Sequence, residues 1–328
     1  MIGGRAQLRP LALVPLLVWL GAGCRSAAPT TPEEGPPAGP PWFRDVTEEV
    51  GLNFIHDPGP VGRYFMPQIM GSGCALFDFD GDARLDVYLI QNGGPDSGSV
   101  NRLYRQGPDG RFTDVSAGSG LEVAGYGMGA AVGDVNNDGR PDVLVTEYGR
   151  CRLFVNEGGG RFRDVTAEAG VVNPRWGNSA CFVDYDRDGW LDLVVVNYVD
   201  YDPSRLCAPA SGRPDYCHPR AFAGTAARLF RNRGGEGRGP GGAPRFEDVS
   251  LRSGLGRVPG PGLGVVCADF DGDGWPDIFV ANDAQANRLW INRHDGTFSE
   301  ARRAGTMPRG YPSVPARDRP RSLATDRP

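Results

Sequence analysis

The chain has 328 residues, of which 40% are hydrophobic and 23% charged, and a formal net charge of -5. That length suits one large all-β domain or two ordinary ones. The balance is acidic and the arginines are dispersed, which excludes the basic patch of a nucleic-acid binder.

In chain order, a targeting segment comes first. Arg5 and Arg9 precede an apolar run, Leu11 to Leu20, of signal-peptide length and too short to span a bilayer. The run ends in Leu20-Gly21-Ala22-Gly23-Cys24, which resembles a bacterial lipobox. On that reading residues 1–24 are a signal peptide, Cys24 is lipidated, and the mature protein is anchored to a membrane of the bacterial cell envelope. Gly21 is less usual at its position, so secretion without lipidation stays open, as does an uncleaved anchor. Residues 25–41 (RSAAPTTPEEGPPAGPP) have the composition of a flexible linker. Export places the chain in an oxidising compartment. Cys207 and Cys217 flank the loop CAPASGRPDYC and are expected to form a disulfide. Cys74, Cys181 and Cys267 lie in apolar runs and read as buried core thiols, whereas Cys151 has no evident partner.

A fourfold repeat occupies residues 42–305. The first unit is CALFDFDGDARLDVYLIQN followed by NRLYRQGPDGRFTDVS, and three further units match it, with acidic loops starting at Asp78, Asp134, Asp184 and Asp269. The intervals are 56, 50 and 85 residues, the long third one holding the Cys207–Cys217 segment and a Gly-rich stretch. Each unit reads as four short strands. An apolar strand enters the acidic loop, a β-branched strand leaves it, and RLF-like and RF-x-DV strands follow. Units of about 50 residues with four strands are the size of propeller blades, which bury their faces only by stacking on neighbours. The fold class is therefore an all-β propeller of four-stranded blades. The leading WFRDVT matches a fourth strand and leaves one strand surplus to four blades, which points to an incomplete ring, an open arc with exposed edges or at best a strained four-bladed closure. The Pro- and Arg-rich residues 306–328 read as an aberrant or disordered tail.

The loops align as D-x-[DN]-x-D-[GA]-x-x-D. Their side-chain oxygens are Asp78, Asp80, Asp82 and Asp86; Asp134, Asn136, Asp138 and Asp142; Asp184, Asp186, Asp188 and Asp192; and Asp269, Asp271, Asp273 and Asp277. Four carboxylates within nine residues repel one another unless a cation sits among them. A hard, flexibly coordinated ion suits such a set, so about four Ca²⁺ sites are expected. Position seven (Arg84, Arg140, Trp190, Trp275) is expected to add a backbone carbonyl, and Gly at position six allows the sharp turn, except that the first loop has Ala83. An EF-hand is excluded, because its Glu at position twelve is replaced here by Leu89, Val145, Val195 and Val280 inside strands.

These residues resemble the FG-GAP/VCBS repeats of integrin α-chain propellers, and more closely the cartilage acidic protein and ASPIC/UnbV group. The resemblance rests on WFRDVTEEVGLNFIH, YFMPQIMGSGCALFDFDGD, PRWGNSACFVDYDRDG, DYCHPRAF and GLGVVCADFDGDGWPDIFVAND. It implies a seven-bladed, non-catalytic propeller followed by a small C-terminal domain. The present chain departs from that pattern after Ala304, as a truncated or frameshifted end would.

His56, His218 and His294 have no zinc spacing, and no nucleophile or nucleotide motif is convincing. The expected function is a non-catalytic scaffold for a protein or glycan partner. A polysaccharide hydrolase or lyase and a purely structural envelope protein are the alternatives. Trp176, Tyr201, Tyr216, His218 and Arg220 lie in nonrepeated segments and are candidates for a recognition patch, with structural packing as the competing role.

Overall fold

The computed structural model describes residues 42–60, 62–208, 212–234 and 241–301. The signal segment, Cys24, the linker 25–41 and the tail 306–328 lie outside the described residues. The chain divides into two compact units, Met1–Asp45 and Val46–Pro328. In the first, the described residues 42–45 form neither helix nor strand, and Trp42 and Phe43 are exposed. The fourth-strand match of WFRDVT is thus not realised as a strand, since none of the described strands pairs with it.

The second unit holds four antiparallel sheets of four strands each. The first blade is β1 (Cys74–Phe77), β2 (Asp86–Leu89), β3 (Arg102–Gln106) and β4 (Phe112–Asp114). The second is β5 (Gly127–Gly133), β6 (Asp142–Glu147), β7 (Arg150–Gly158) and β8 (Arg161–Asp164). The third is β9 (Gly177–Val183), β10 (Asp192–Asn197), β11 (Arg228–Asn232) and β12 (Phe246–Asp248). The fourth is β13 (Gly262–Ala268), β14 (Asp277–Asn282), β15 (Arg288–Asn292) and β16 (Phe298–Glu300). In every blade the strands hydrogen-bond in sequence order, as the hairpin-like spacing predicts. The β-branched second strands β6 and β10 are buried along their whole length. This is the signature of a strand covered on both faces.

Three apolar layers hold the blades together. Phe77, Phe79, Tyr88 and Leu103 of the first blade meet Val143, Val145, Phe154 and Phe162 of the second. Leu144, Leu153 and Val165 meet Leu193, Val195 and Phe230. Val194, Val196 and Leu229 meet Ile278, Val280, Trp290 and Phe298. The first strands line up in the same order, β1 against β5, β5 against β9 and β9 against β13. Among the described residues no comparable layer joins the fourth blade to the first, so the blades form an open arc.

The arc explains one failed expectation. Cys74 is exposed, and Cys181 and Cys267 are only half-buried. All three sit on first strands, where Leu76 and Val266 are also exposed. Apolar character there marks strands at the inner edge of the arc, not a sealed core. Cys151, on the third strand of its blade, is buried, and burial pushes its thiol up to about 12. Cys207 and Cys217 form the expected disulfide.

A second interlock recurs before the first blade and after β4, β8 and β12. The chain makes a short turn or helix closed by a left-handed glycine. Helices α1 (Thr47–Val50), α2 (Thr166–Ala169) and α3 (Ser250–Ser253) end at Gly51, Gly170 and Gly254, and Gly120 closes the equivalent turn. A Cβ on these glycines would lie 2.8, 3.0, 3.2 and 2.1 Å from the carbonyl oxygens of Phe112, Phe246, Phe298 and Phe162, respectively. Each of those phenylalanines lies on the fourth strand of the next blade. Glycine is thus required twice over, for its backbone conformation and for the close approach.

Gly120→Ala is therefore expected to cost about 2 kcal/mol or more in urea unfolding. Gly149→Ala, at φ 85° but with open space around it, is expected to cost about half as much.

Candidate metal centre

The acidic loops are first of all self-capping turns. Asp78 Oδ1 accepts from the N–H groups of Gly81 and Asp82 at 2.8 and 3.1 Å, and its Oδ2 from Ala83 at 2.7 Å. Asp134, Asp184 and Asp269 make the same bonds to positions five and six. Position five accepts the N–H of position seven: Asp82 from Arg84, Asp138 from Arg140, Asp188 from Trp190 and Asp273 from Trp275, at 2.8 to 3.0 Å. The position-seven residues, expected to offer carbonyls, are thus fastened through their amides. Position six is left-handed throughout, with φ of 63° at Ala83 and 85°, 87° and 86° at Gly139, Gly189 and Gly274. Ala83 adopts a conformation that glycine takes without cost.

The ninth-position aspartates do more than the sequence suggests. Asp86, Asp142, Asp192 and Asp277 are fully buried and begin the second strands. One oxygen of each accepts the amide of loop position two, from Phe79, Val135, Tyr185 and Phe270 at 2.9 to 3.2 Å. The other accepts the amide of a third-strand residue, from Gln106, Asn156, Asn232 and Asn292, at 2.8 Å in every blade. Burial pushes Asp142 up to about 7 and Asp192 up to about 8, with repulsion from the other loop aspartates adding to it. It raises Asp86 and Asp277 in the same way.

The third-strand asparagines, which sequence reasoning passed over, tie blade to blade. Asn156 Nδ2 donates to the Phe79 carbonyl in the first blade's loop at 2.9 Å. Asn232 Nδ2 donates to Val135 in the second blade, and Asn292 Nδ2 to Tyr185 in the third, each at 2.8 Å. Each amide also donates to position eight of its own loop, the carbonyls of Pro141, Leu191 and Pro276. Each Oδ1 accepts an amide two residues on, from Gly158, Gly234 and His294. The visible signal was the recurrence of Asn after RLFV, RLFR and RLWI, where Gln106 stands in the first blade.

Three of the four loops gather carboxylates around a common point. Asp78, Asp80 and Asp86, then Asp184, Asp186 and Asp192, then Asp269, Asp271 and Asp273 each offer oxygens within 4.8 Å of one another. The second loop, with Asn136 in place of an aspartate, forms no such acidic group among the described residues. Asp186 Oδ1 is buried and has no partner. An all-oxygen set with an orphaned carboxylate oxygen fits a hard divalent cation. Several cationic side chains already border the loops. Arg84 pairs with Asp82, Arg140 with Asp138, Arg105 with Asp80 and Asp82, and Arg231 with Asp186 and Asp188. His294 Nε2 lies 2.6 Å from Asp273 Oδ2, and its ring stacks on Trp275 at 4.7 Å.

The residues proposed for recognition are only partly surface groups. Trp176 is 2% exposed and packs edge-on against Tyr148, Tyr198 and Tyr201, so it belongs to the core. A nonrepeated position had suggested a surface role, but here it supplies an aromatic plug between loops. Tyr201 is half-buried in the same cluster, and its hydroxyl accepts the Met66 amide at 3.3 Å. Tyr216 meets Tyr64 at 5.4 Å. His218 and Arg220 are exposed, His218 Nδ1 accepting the Arg220 amide at 3.1 Å. A separate cleft of about 730 Å³ is lined by Arg175, Asp200, Thr225, Arg228, Asp248 and Arg252, among others, and by none of these five residues.

Repeated blades with self-capping acidic loops define a class of propeller repeat, and the family comparison agrees. The profile of the FG-GAP-like repeat matches residues 78–145, 134–195 and 269–318, together just over half the chain. The chain belongs to the FG-GAP-like repeat family. It is 31% identical to cartilage acidic protein 1 of Xenopus tropicalis over 87 residues, which span 26% of this chain and 13% of that relative. Among solved structures, an Agrocybe aegerita lectin specific for non-reducing terminal N-acetylglucosamine aligns at 16% identity with a TM-score of 0.28. That alignment covers 70% of this chain and 65% of the lectin. A Bacillus licheniformis rhamnogalacturonan lyase aligns at 15% identity with a TM-score of 0.29, covering 72% and 54%.

Asn232→Leu would orphan two carbonyls and one amide at the boundary of two blades. It is expected to lower unfolding free energy by about 2–4 kcal/mol, measured by chemical denaturation. Ala83→Gly is expected to raise stability by about 1 kcal/mol in the same measurement.

Proposed function

We propose that this chain is an exported, calcium-stabilised propeller scaffold that binds a protein or glycan partner and has no catalytic role. The observation that carries the reading is the recurrence of one oxygen-rich loop at one place in successive blades. Catalysis needs one differentiated site, whereas like loops repeated from blade to blade suit structural ions. Calcium would be held by the side-chain oxygens of positions one, three, five and nine. Its charge would offset the repulsion and burial that raise the ninth-position carboxyls. The second loop would be the poorest site, because Asn136 removes one charge.

The Cys207–Cys217 disulfide and the repeat class support an exported protein. Among the described residues no helix is long and apolar enough to cross a membrane. Attachment through a lipid on Cys24 would place the scaffold at the cell envelope. The exposed His218 and Arg220, beside the half-buried Tyr201 and Tyr216, would supply the recognition face together with the Arg- and Asp-lined cleft.

Calcium is expected to stabilise the protein by about 2.7 kcal/mol per site at a hundredfold excess over Kd, read as a rise in Tm that a chelator reverses. No calorimetric signal and no Tm shift would overturn the metal reading. For partner binding, pull-downs from envelope extracts are expected to lose their partners with chelator. Retention of the same partners without calcium would refute calcium-dependent binding.

A further inference from the structure

The four loops share a pattern of carboxylates but not a charge. Loop composition accounts for part of the difference, and one residue of the third strand, just before the Asn or Gln that closes each blade, accounts for the rest. That residue is Arg105 in the first blade, Val155 in the second, Arg231 in the third and Ile291 in the fourth.

Where the residue is arginine, it makes the same contact each time. Arg105 Nε lies 2.6 Å from Asp80 Oδ2, and its Nη2 lies 3.1 Å from Asp82 Oδ2. Arg231 Nε lies 2.6 Å from Asp186 Oδ2, and its Nη2 lies 3.1 Å from Asp188 Oδ2. The guanidinium thus spans loop positions three and five, two of the oxygens a calcium ion would use. The Nε–H of Arg231 does not point along a hydrogen bond, so that half of the contact is an ion pair. The first loop has a second cation, Arg84 on Asp82, and the second loop has Arg140 on Asp138.

The fourth loop differs. Among the described residues no arginine is paired with Asp269, Asp271, Asp273 or Asp277. Arg187 comes near but lies over the Trp275 ring, 5.3 Å from its centroid. Among the described residues the one side-chain ion pair to this loop is that of His294 with Asp273. Counting each loop with its paired arginines and taking His as neutral, the fourth loop keeps all four negative charges of its aspartates. The third keeps three of four after Arg231. The first keeps two of four after Arg84 and Arg105, and the second two of three after Arg140.

We propose that Arg105 and Arg231 are built-in counter-cations that weaken calcium at the first and third loops, so that the fourth loop fills first and tightest. The inference rests on the calcium reading above. Its physical basis is that ligand charge count sets calcium affinity in oxygen-donor loops. A fixed guanidinium lowers that count and occupies two carboxylate oxygens without removing an aspartate. The protein would then respond to calcium in stages, with the fourth loop filled at low concentration and the first and third at higher.

The test is calorimetric titration of the full chain with CaCl₂, in the wild type and in three variants. The wild type is expected to show one tight site and a weaker class. Asp271→Asn should abolish the tight class. Arg105→Val and Arg231→Ile, which install the residues found at this strand position in the second and fourth blades, should each tighten one weak site by about tenfold. Misfolding cannot mimic that gain, since a damaged loop binds less. The gain should shrink at high ionic strength, as screening weakens the guanidinium's effect. Unchanged affinities in both arginine variants, or a tight class that survives Asp271→Asn, would overturn the inference while leaving calcium binding intact. Absence of any binding would overturn the calcium reading itself, and the inference with it.

Discussion

The structure depends on one buried carboxylate per blade. Asp86, Asp142, Asp192 and Asp277 are each sealed from solvent, and each accepts two backbone amides, one from its own loop and one from the third strand. A buried carboxylate without partners would be prohibitive. With two amide donors it becomes a rivet that fixes loop, second strand and third strand in a single geometry. The loop turn, the register of the hairpin and the position of the buried Asn all follow from it.

The asparagine extends that local order to the next level. Asn156, Asn232 and Asn292 are almost wholly buried, with both amide hydrogens and the carbonyl oxygen engaged. Their donors reach the preceding blade's loop, at a carbonyl beside an aromatic or valine that packs in the interblade layer. The polar clamp and the apolar layer therefore specify the same relative placement of two blades. Apolar packing alone would allow sliding, but a fully satisfied polar network inside it permits one arrangement. The glycine column at Gly51, Gly120, Gly170 and Gly254 adds a third constraint, since only a bare backbone approaches the phenylalanine carbonyls so closely.

Much of this was legible in the sequence, for identifiable reasons. Strand number and order followed from the short repeat period, and the loops from aspartates at fixed spacing. The Cys207–Cys217 bridge followed from its short Pro/Gly loop. What failed was inference from local composition where the arc sets exposure. Cys181 and Cys267 lie in apolar strands yet are half-open, because first strands face the inner edge. Trp176 sits in a nonrepeated segment yet is buried, because loops from adjacent blades fold over it. The asparagine clamp is not legible in the sequence because Asn156, Asn232 and Asn292 gain their meaning only from the loop of the preceding blade. The sequence pattern marks Asp86 and its equivalents as ligands but does not show the paired amide bonds that tie each of them to its loop and third strand.

The clamps also have a direction. In all three, the donor lies on the later blade and the acceptor carbonyl on the earlier one. A chain emerging from its N-terminus therefore always completes the acceptor before the donor is made. Each new blade meets a finished template, and the buried asparagine has a partner waiting when its strand forms. This polarity suits stepwise, vectorial assembly, in which every added repeat is proofread against the one before it.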